Sequence, residues 1–71
     1  MDILSKLIET RKSKKISQGK VAMSIGMSQS SLSAYENGVI DIPFRRILDY
    51  ARVMRCKIVL FDEDMIEELI N

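Results

Sequence analysis

QGKVAMSIGMSQSSLSAYENG, residues 18–38, is the most informative stretch of this 71-residue sequence. Its apolar residues have helical spacing on both sides of Gly26, which predicts two short helices, over residues 17–24 and 28–36. Each helix begins with a serine, whose hydroxyl can cap a helix N-terminus. Gly26 stands where the end of a helix favours a residue with positive φ. The stretch therefore predicts a pair of helices joined by a tight turn.

Two further helices are predicted, one on each side of this pair. Residues 2–14 have apolar side chains at helical spacing, with Asp2 as a candidate N-cap. Pro43 suits the first position of a fourth helix, because its fixed φ and missing N–H are tolerated there. The inward face of that helix is predicted to consist of Phe44, Ile47, Leu48, Ala51 and Met54.

The pattern changes after the fourth helix. Residues 56–61 (CKIVLF) are rich in β-branched and aromatic residues and form too short a run for a helix, so they predict a β-strand. No second strand is evident, and an unpaired apolar edge favours antiparallel pairing with a second copy. The alternative is that this segment extends the last helix or packs on its own core. The predicted dimer interface consists of Cys56, Ile58, Val59, Leu60 and Phe61.

Residues 62–71 predict a short amphipathic helix. Met65, Ile66, Leu69 and Ile70 have helical spacing, and five acidic residues lie among them. Two interpretations of this acidic tail are open, namely that it covers the dimer interface or that it binds a separate protein. In either case its carboxylates should face away from a polyanion.

The composition limits the classes of function. With 46% hydrophobic and 30% charged residues, the sequence is typical of one small globular domain. It contains no His, the commonest general base and metal ligand, so we expect neither an enzyme nor a bound metal or cofactor. A single Cys, the lack of an apolar leader and the absence of a long apolar run predict a cytoplasmic protein that does not span a membrane.

The charges are unevenly distributed along the chain. All 11 basic residues lie in residues 1–61, whereas residues 62–71 contain five of the 10 acidic ones. Residues 10–35 contain five basic residues and no acidic one. Such a stretch is either a solvated face or a surface for a polyanion such as a phosphate backbone.

The second helix of the central pair has the surface that a reader of the DNA major groove needs. A helix fits this groove, and the side chains of its first turn reach the base edges. Here those side chains are polar and uncharged, and Gln can make two hydrogen bonds to adenine. Lys20, Arg45 and Arg46 are candidate phosphate contacts. The alternative is a small bundle whose capped helices merely have a Ser-rich surface.

The same stretch resembles a known family. Ser17-Gln18, Val21-Ala22, Gly26-Met27-Ser28 and Tyr35-Glu36-Asn37-Gly38 are similar to the Cro/repressor-type (Xre-like, lambda-repressor-like) helix-turn-helix of phage and bacterial regulators. The resemblance covers about residues 3–55. It implies a mainly α-helical bundle of four or five short helices, with a C-terminal β-strand that pairs between subunits.

The resemblance also implies roles for single residues. Gln18 would contact phosphate and brace Gln29, Asn37 would bind phosphate, and Arg11 and Glu36 would form a buried ion pair. The base-reading set would be Ser28, Gln29, Ser30, Ser33 and Ala34. The sequence departs from the family at Gly19 and Lys20, where acidic residues are common, and at Ala34, where some members have a longer side chain. The target DNA sequence therefore does not follow from relatives.

Together these features predict a sequence-specific DNA-binding transcriptional regulator, acting as a homodimeric repressor on a palindromic operator. Residues 1–55 would form its DNA-binding part, and residues 56–71 the dimerisation or partner-binding part of the same domain. The alternative is an antitoxin or adaptor that binds a protein through residues 56–71 and binds DNA only for autoregulation.

Overall fold

The fold was analysed in a computed structural model, which describes residues 2–59 and residue 62. This part of the chain contains four helices, α1 (Ile3–Ser13), α2 (Gln18–Ser24), α3 (Gln29–Glu36) and α4 (Phe44–Val53). The four predicted helices are therefore confirmed, with ends that agree to within about one residue.

Three of the helices begin at the predicted capping residues. The side chains of Asp2, Ser17 and Ser28 each accept a hydrogen bond from the backbone N–H three residues further on, over 2.7, 3.1 and 3.1 Å respectively. Pro43 is the N-cap of α4 and not its first helical residue, as its ψ of 148° shows. The expectation for Pro43 is wrong by one position, because its backbone is still extended where the helix is about to begin.

All four helices of the described residues end in the same hydrogen-bonding arrangement, the Schellman motif. The residue after each C-cap has a positive φ, and the next N–H donates to a carbonyl five residues back. Glycine provides the positive φ after α2 and α3, as predicted at Gly26, but a basic residue does so after α1 and α4. The residues with positive φ are Lys15, Gly26, Gly38 and Arg55.

The core lies where the four helices meet. Every helix packs against two others, with α2 against α3 as the most extensive contact. Leu32 of α3 and Val21 of α2 are fully buried, so the turn between these helices is held by apolar burial on both sides. The buried apolar residues are Leu7, Val21, Ala22, Leu32, Tyr50, Ala51 and Met54.

Helix α4 is rotated relative to its predicted face. Ala51 and Met54 are buried as predicted, but Phe44 is 57% and Leu48 41% exposed. Tyr50, which was not assigned to the core, is fully buried. Tyr50 is buried because its hydroxyl donates a hydrogen bond to a buried carboxylate in the interior. Side-chain hydrophobicity favours Phe44 over Tyr50 as a core residue and takes no account of this hydrogen bond.

The chain after α4 is described only in part. The Cys56 N–H donates to the Ala51 carbonyl over 2.8 Å, so Cys56 closes the end of α4 and packs against the core. No β-strand is assigned within residues 2–59, and the predicted strand over residues 56–61, which requires a partner, stays a prediction. Leu60, Phe61 and nearly all of the predicted tail helix lie outside the described residues.

Substitution of two methionines, one buried and one exposed, tests the packing of the core. Met54→Ala should lower the free energy of unfolding by about 2–5 kcal/mol, because Met54 is fully buried and truncation leaves a cavity. Met23→Ala should change it by about 0.5 kcal/mol or less, because Met23 is 77% exposed. Urea unfolding of both variants measures the difference. Equal losses would show that α4 does not pack as described.

Candidate nucleic-acid interface

Helix α3 presents one polar face to solvent. Gln29 and Ser30 are exposed, while Ser33 and Ala34 are half-buried one turn further along the same face. The opposite face carries Leu32, which is fully buried. The five residues predicted to read bases therefore lie at the start and along one side of α3, with Ser28 as its N-cap.

The serines at the start of α3 bond to one another. The Ser28 hydroxyl accepts from the Ser31 N–H over 3.1 Å and donates to the Ser31 hydroxyl over 2.8 Å. The Ser30 hydroxyl lies 3.3 Å from that of Ser28. Ser28 is thus engaged in capping the start of the helix, and Ser30 keeps more of its bonding capacity for a ligand.

Gln29 rests against α2 at a glycine. A Cβ atom placed on Gly19 would lie 3.3 Å from the Gln29 side-chain oxygen, which is closer than ordinary contact. The absence of a side chain on Gly19 therefore leaves room for the Gln29 side chain to lie against the start of α2. Gln18, which was expected to brace Gln29, donates its side-chain amide to Glu36 Oε1 over 3.0 Å.

A buried polar network fixes α3 against the other three helices. Arg11 of α1 donates from Nη2 to Glu36 Oε1 over 2.8 Å and from Nε to Glu36 Oε2 over 3.0 Å. The Tyr50 hydroxyl of α4 donates to Glu36 Oε2 over 2.7 Å, and Gln18 of α2 provides the fourth bond. The Arg11 guanidinium also donates to the Ile16 carbonyl over 3.0 Å. Each of the other three helices thus contributes a donor to the one carboxylate of α3.

The two charged side chains of this network are almost completely shielded from water. The side chains of Arg11 and Glu36 are only 9% and 4% exposed. Sequence reasoning had paired these two residues but missed Tyr50 and the bond from Gln18. A signal was present in the chemistry, because a buried carboxylate has two oxygens and needs more donors than one guanidinium edge supplies.

The network shifts the ionisation of its members. Burial by itself raises the pKa of Glu36, but hydrogen bonds from Arg11, Gln18 and Tyr50 and the Arg11 charge outweigh it, so the pKa lies below 4.5. Burial and the neighbouring Glu36 carboxylate raise the pKa of the Tyr50 phenol. Glu36 is therefore ionised and Tyr50 neutral at physiological pH, which is the state that these hydrogen bonds require.

The predicted phosphate contacts divide into two groups. Lys20 and Arg45 are exposed, and neither forms an ion pair with an acid of the described residues. Asn37 is exposed too, and its amide nitrogen donates to the Ser33 hydroxyl over 3.2 Å. Arg46 instead donates to the Ile25 carbonyl at the end of α2 over 2.7 Å, and this hydrogen bond links α4 to the turn between α2 and α3.

Two kinds of feature are absent from the described residues. Within residues 2–59 and 62, no three His, Cys, Asp or Glu residues are grouped as a metal site would require. Nor is any helix in this part of the chain long and apolar enough to cross a membrane. What the surface does offer is a polar helix face on a rigid support.

Comparison with known proteins identifies the arrangement. A family model described as helix-turn-helix matches residues 7–61, most of the chain. The chain belongs to the Xre/Cro/CI-like helix-turn-helix family. No curated protein and no solved structure matches it. Helices α2 and α3 form the pair after which the family is named, and the family is one of DNA-binding regulatory domains.

We expect the helix-turn-helix fold to depend on the Glu36 carboxylate. Glu36→Gln should lower the free energy of unfolding by about 3–5 kcal/mol, because the charge of Arg11 stays buried without its counter-charge. The matched control is Glu9→Gln, since Glu9 is 61% exposed and its distance to Lys6 is 4.0 Å. That exposed pair should contribute at most about 1 kcal/mol.

The same substitution has a predicted pH signature. Because the folded-state pKa of Glu36 lies below its usual 4.5, its stabilising contribution is complete above pH 4.5 and is lost as the pH falls through the lowered value. Urea unfolding at a series of pH values should therefore show this component of acid destabilisation in the parent protein and not in Glu36→Gln. An identical acid profile in both proteins would contradict the network.

Proposed function

We propose that this helix-turn-helix protein is a sequence-specific transcriptional repressor that binds a palindromic operator. The observation that carries the proposal is the uncharged polar face of α3, which is held in place by the four hydrogen bonds that Arg11, Gln18 and Tyr50 donate to Glu36. A rigidly held helix can place hydrogen-bonding groups against base edges reproducibly, which sequence reading requires. The protein acts in the cytoplasm and needs no cofactor.

In this proposal the side chains at the start of α3 enter the major groove. Gln29 makes the main base contact, since it is exposed and can leave its resting place against Gly19 to bond adenine at two atoms. Ser30 and Ser33 bond base edges nearby, and Ala34 contacts a thymine methyl. Ser28, being engaged as the N-cap, contributes mainly by fixing the first turn.

Phosphate contacts on both sides of α3 provide most of the affinity. Lys20 on α2 and Arg45 on α4 are free of acidic partners within the described residues and suit this task. Asn37 bonds the backbone just beyond α3. Gln18 and Arg46 are both occupied by bonds within the protein, so they support the interface from behind and reach phosphate only if those bonds are exchanged.

The repressor acts as a dimer through the chain that follows α4. Lys57, Ile58 and Val59 make no backbone hydrogen bond within the described residues, and Val59 is 66% exposed. Such an edge favours pairing with a second copy. A two-fold dimer then presents two α3 helices to successive major grooves, about 34 Å apart. Cys56 lies behind this edge, at the end of α4.

The role of Gln29 is tested by separating specific from non-specific binding. An operator is first selected from a pool of random duplexes, and the dissociation constants of parent and Gln29→Ala are measured for it and for a random duplex. Loss of the bidentate contact should weaken operator binding by about 1–3 kcal/mol and leave random binding nearly unchanged. An equal loss on both duplexes would refute base reading by Gln29.

The role of Lys20 is tested by salt dependence. Lys20→Ala should weaken binding to every duplex and reduce the slope of log K against log salt by about one, because one fewer counterion is released. The matched control is Lys6→Ala, since Lys6 is an exposed lysine on α1 close to Glu9. An unchanged slope for Lys20→Ala, or an equal change for Lys6→Ala, would refute a phosphate contact by Lys20.

A further inference from the structure

An apolar groove lies on the side of the molecule where the described chain ends. It is formed by the N-terminus of α1, the outer face of α4 and the segment after α4, and its volume is about 490 Å³. Two of the residues that line it, Phe44 and Leu48, were predicted to face the core. The C-terminal groove, as we name it, is lined by Ile3, Phe44, Leu48, Ile58 and Val59.

The C-terminal groove has a basic border. Leu48 and Ile58 also line a second depression, whose other walls include Arg52, Arg55 and Lys57. All three basic residues are exposed, and of them only Arg52 lies near an acid of the described residues, Asp49, at 3.6 Å. The surface thus combines an apolar floor with an excess of positive charge along one side.

The sequence of residues 63–70 is complementary to this surface. Met65, Ile66, Leu69 and Ile70 share one face of a helix, and Glu63, Asp64, Glu67 and Glu68 occupy the remaining positions. We propose that this segment folds back as a helix onto the C-terminal groove of its own chain. Its apolar face covers Phe44, Leu48 and Val59, and its carboxylates lie towards Arg52, Arg55 and Lys57.

The length of the chain favours the same molecule over a second copy. Val59 is itself part of the groove, and the three residues 60–62 span about 10 Å when extended. An eight-residue helix over residues 63–70 is about 12 Å long. The segment therefore starts beside the groove and has a connection that is too short to carry it far from there.

The two kinds of contact have different weights. Burial of several apolar side chains on both partners supplies most of the favourable free energy. The exposed ion pairs add little each and are screened by salt, but they set the direction in which the segment lies. Docking also holds the tail carboxylates beside cations on the C-terminal side of the molecule, while the backbone edge of residues 57–59 stays open for pairing with a second copy.

The experiment uses the full chain with a fluorescent reporter in the groove. The sequence contains no Trp, so Phe44→Trp introduces a single one. We expect its emission to shift to longer wavelength when Ile66→Asp and Leu69→Asp are added, because the uncovered indole becomes hydrated. Asn71→Asp, which adds charge to the tail without removing an apolar contact, should leave the emission unchanged. Helical circular dichroism is compared throughout, and Leu48→Trp serves as a second reporter if Phe44→Trp folds poorly.

Protein concentration distinguishes the occupants. If the segment covers its own groove, the emission of the reporter protein is the same from nanomolar to micromolar concentration. Emission that moves to shorter wavelength only as the protein associates would show that a second copy fills the groove and would overturn the proposal. Emission that is unaffected by the double substitution in the tail would overturn it as well. Neither readout involves DNA, and the effect of the tail substitutions is compared at nanomolar concentration, below the range in which association is followed. Failure to bind an operator or to dimerise would therefore leave this comparison unchanged.

Discussion

The Glu36 carboxylate is the point on which the four helices of the described chain converge. Its two oxygens accept bonds from Arg11 of α1, Gln18 of α2 and Tyr50 of α4, while Glu36 itself ends α3. Burying a charge is costly unless it is paired and fully hydrogen-bonded, and here both conditions are met. A small bundle with few buried side chains thereby obtains one preferred orientation for α3, the helix whose exposed polar face carries the proposed base-reading residues.

The ends of the helices provide the second constraint on this orientation. Each described helix stops in a Schellman motif, and Ile16, Met27 and Cys56, the residues that close three of these motifs, pack on the core. Arg46 adds a bond to the Ile25 carbonyl where α2 turns into α3. Short helices are marginal in isolation, so their lengths and directions depend on such tertiary contacts at their ends. The angle between α2 and α3 is consequently a property of the whole bundle.

The charges are also separated along the sequence. Residues 10–35 contain five basic residues and no acidic one, whereas five of the 10 acidic residues lie in residues 62–71. The apolar C-terminal groove and its basic border lie on α4 and the segment that follows it. In the docked arrangement that we propose, the acidic segment is bound by the protein's own cations, and fewer of its carboxylates would repel the phosphates of a duplex.

Local chemistry was enough to predict the elements. Asp2, Ser17 and Ser28 mark three helix starts because a side-chain oxygen three residues before an N–H caps it, and Gly26 and Gly38 mark two ends because glycine tolerates positive φ. These rules involve only neighbours along the chain, so the sequence by itself determined where α2 and α3 begin and end.

Tertiary structure decided the rest. In the folded chain Tyr50 is buried, whereas Phe44 and Leu48 are exposed. The Gln18 amide donates a hydrogen bond to Glu36, although a contact with Gln29 was expected. Lys15 and Arg55 adopt positive φ without being glycine, which no local rule predicts, because the packing of the residues that follow them compensates the backbone strain. Each of these outcomes depends on groups that are distant in sequence and meet only in the folded chain. There, the hydrogen bonds that one buried carboxylate needs decide which side chains are buried, and the hydrophobicity of single residues does not.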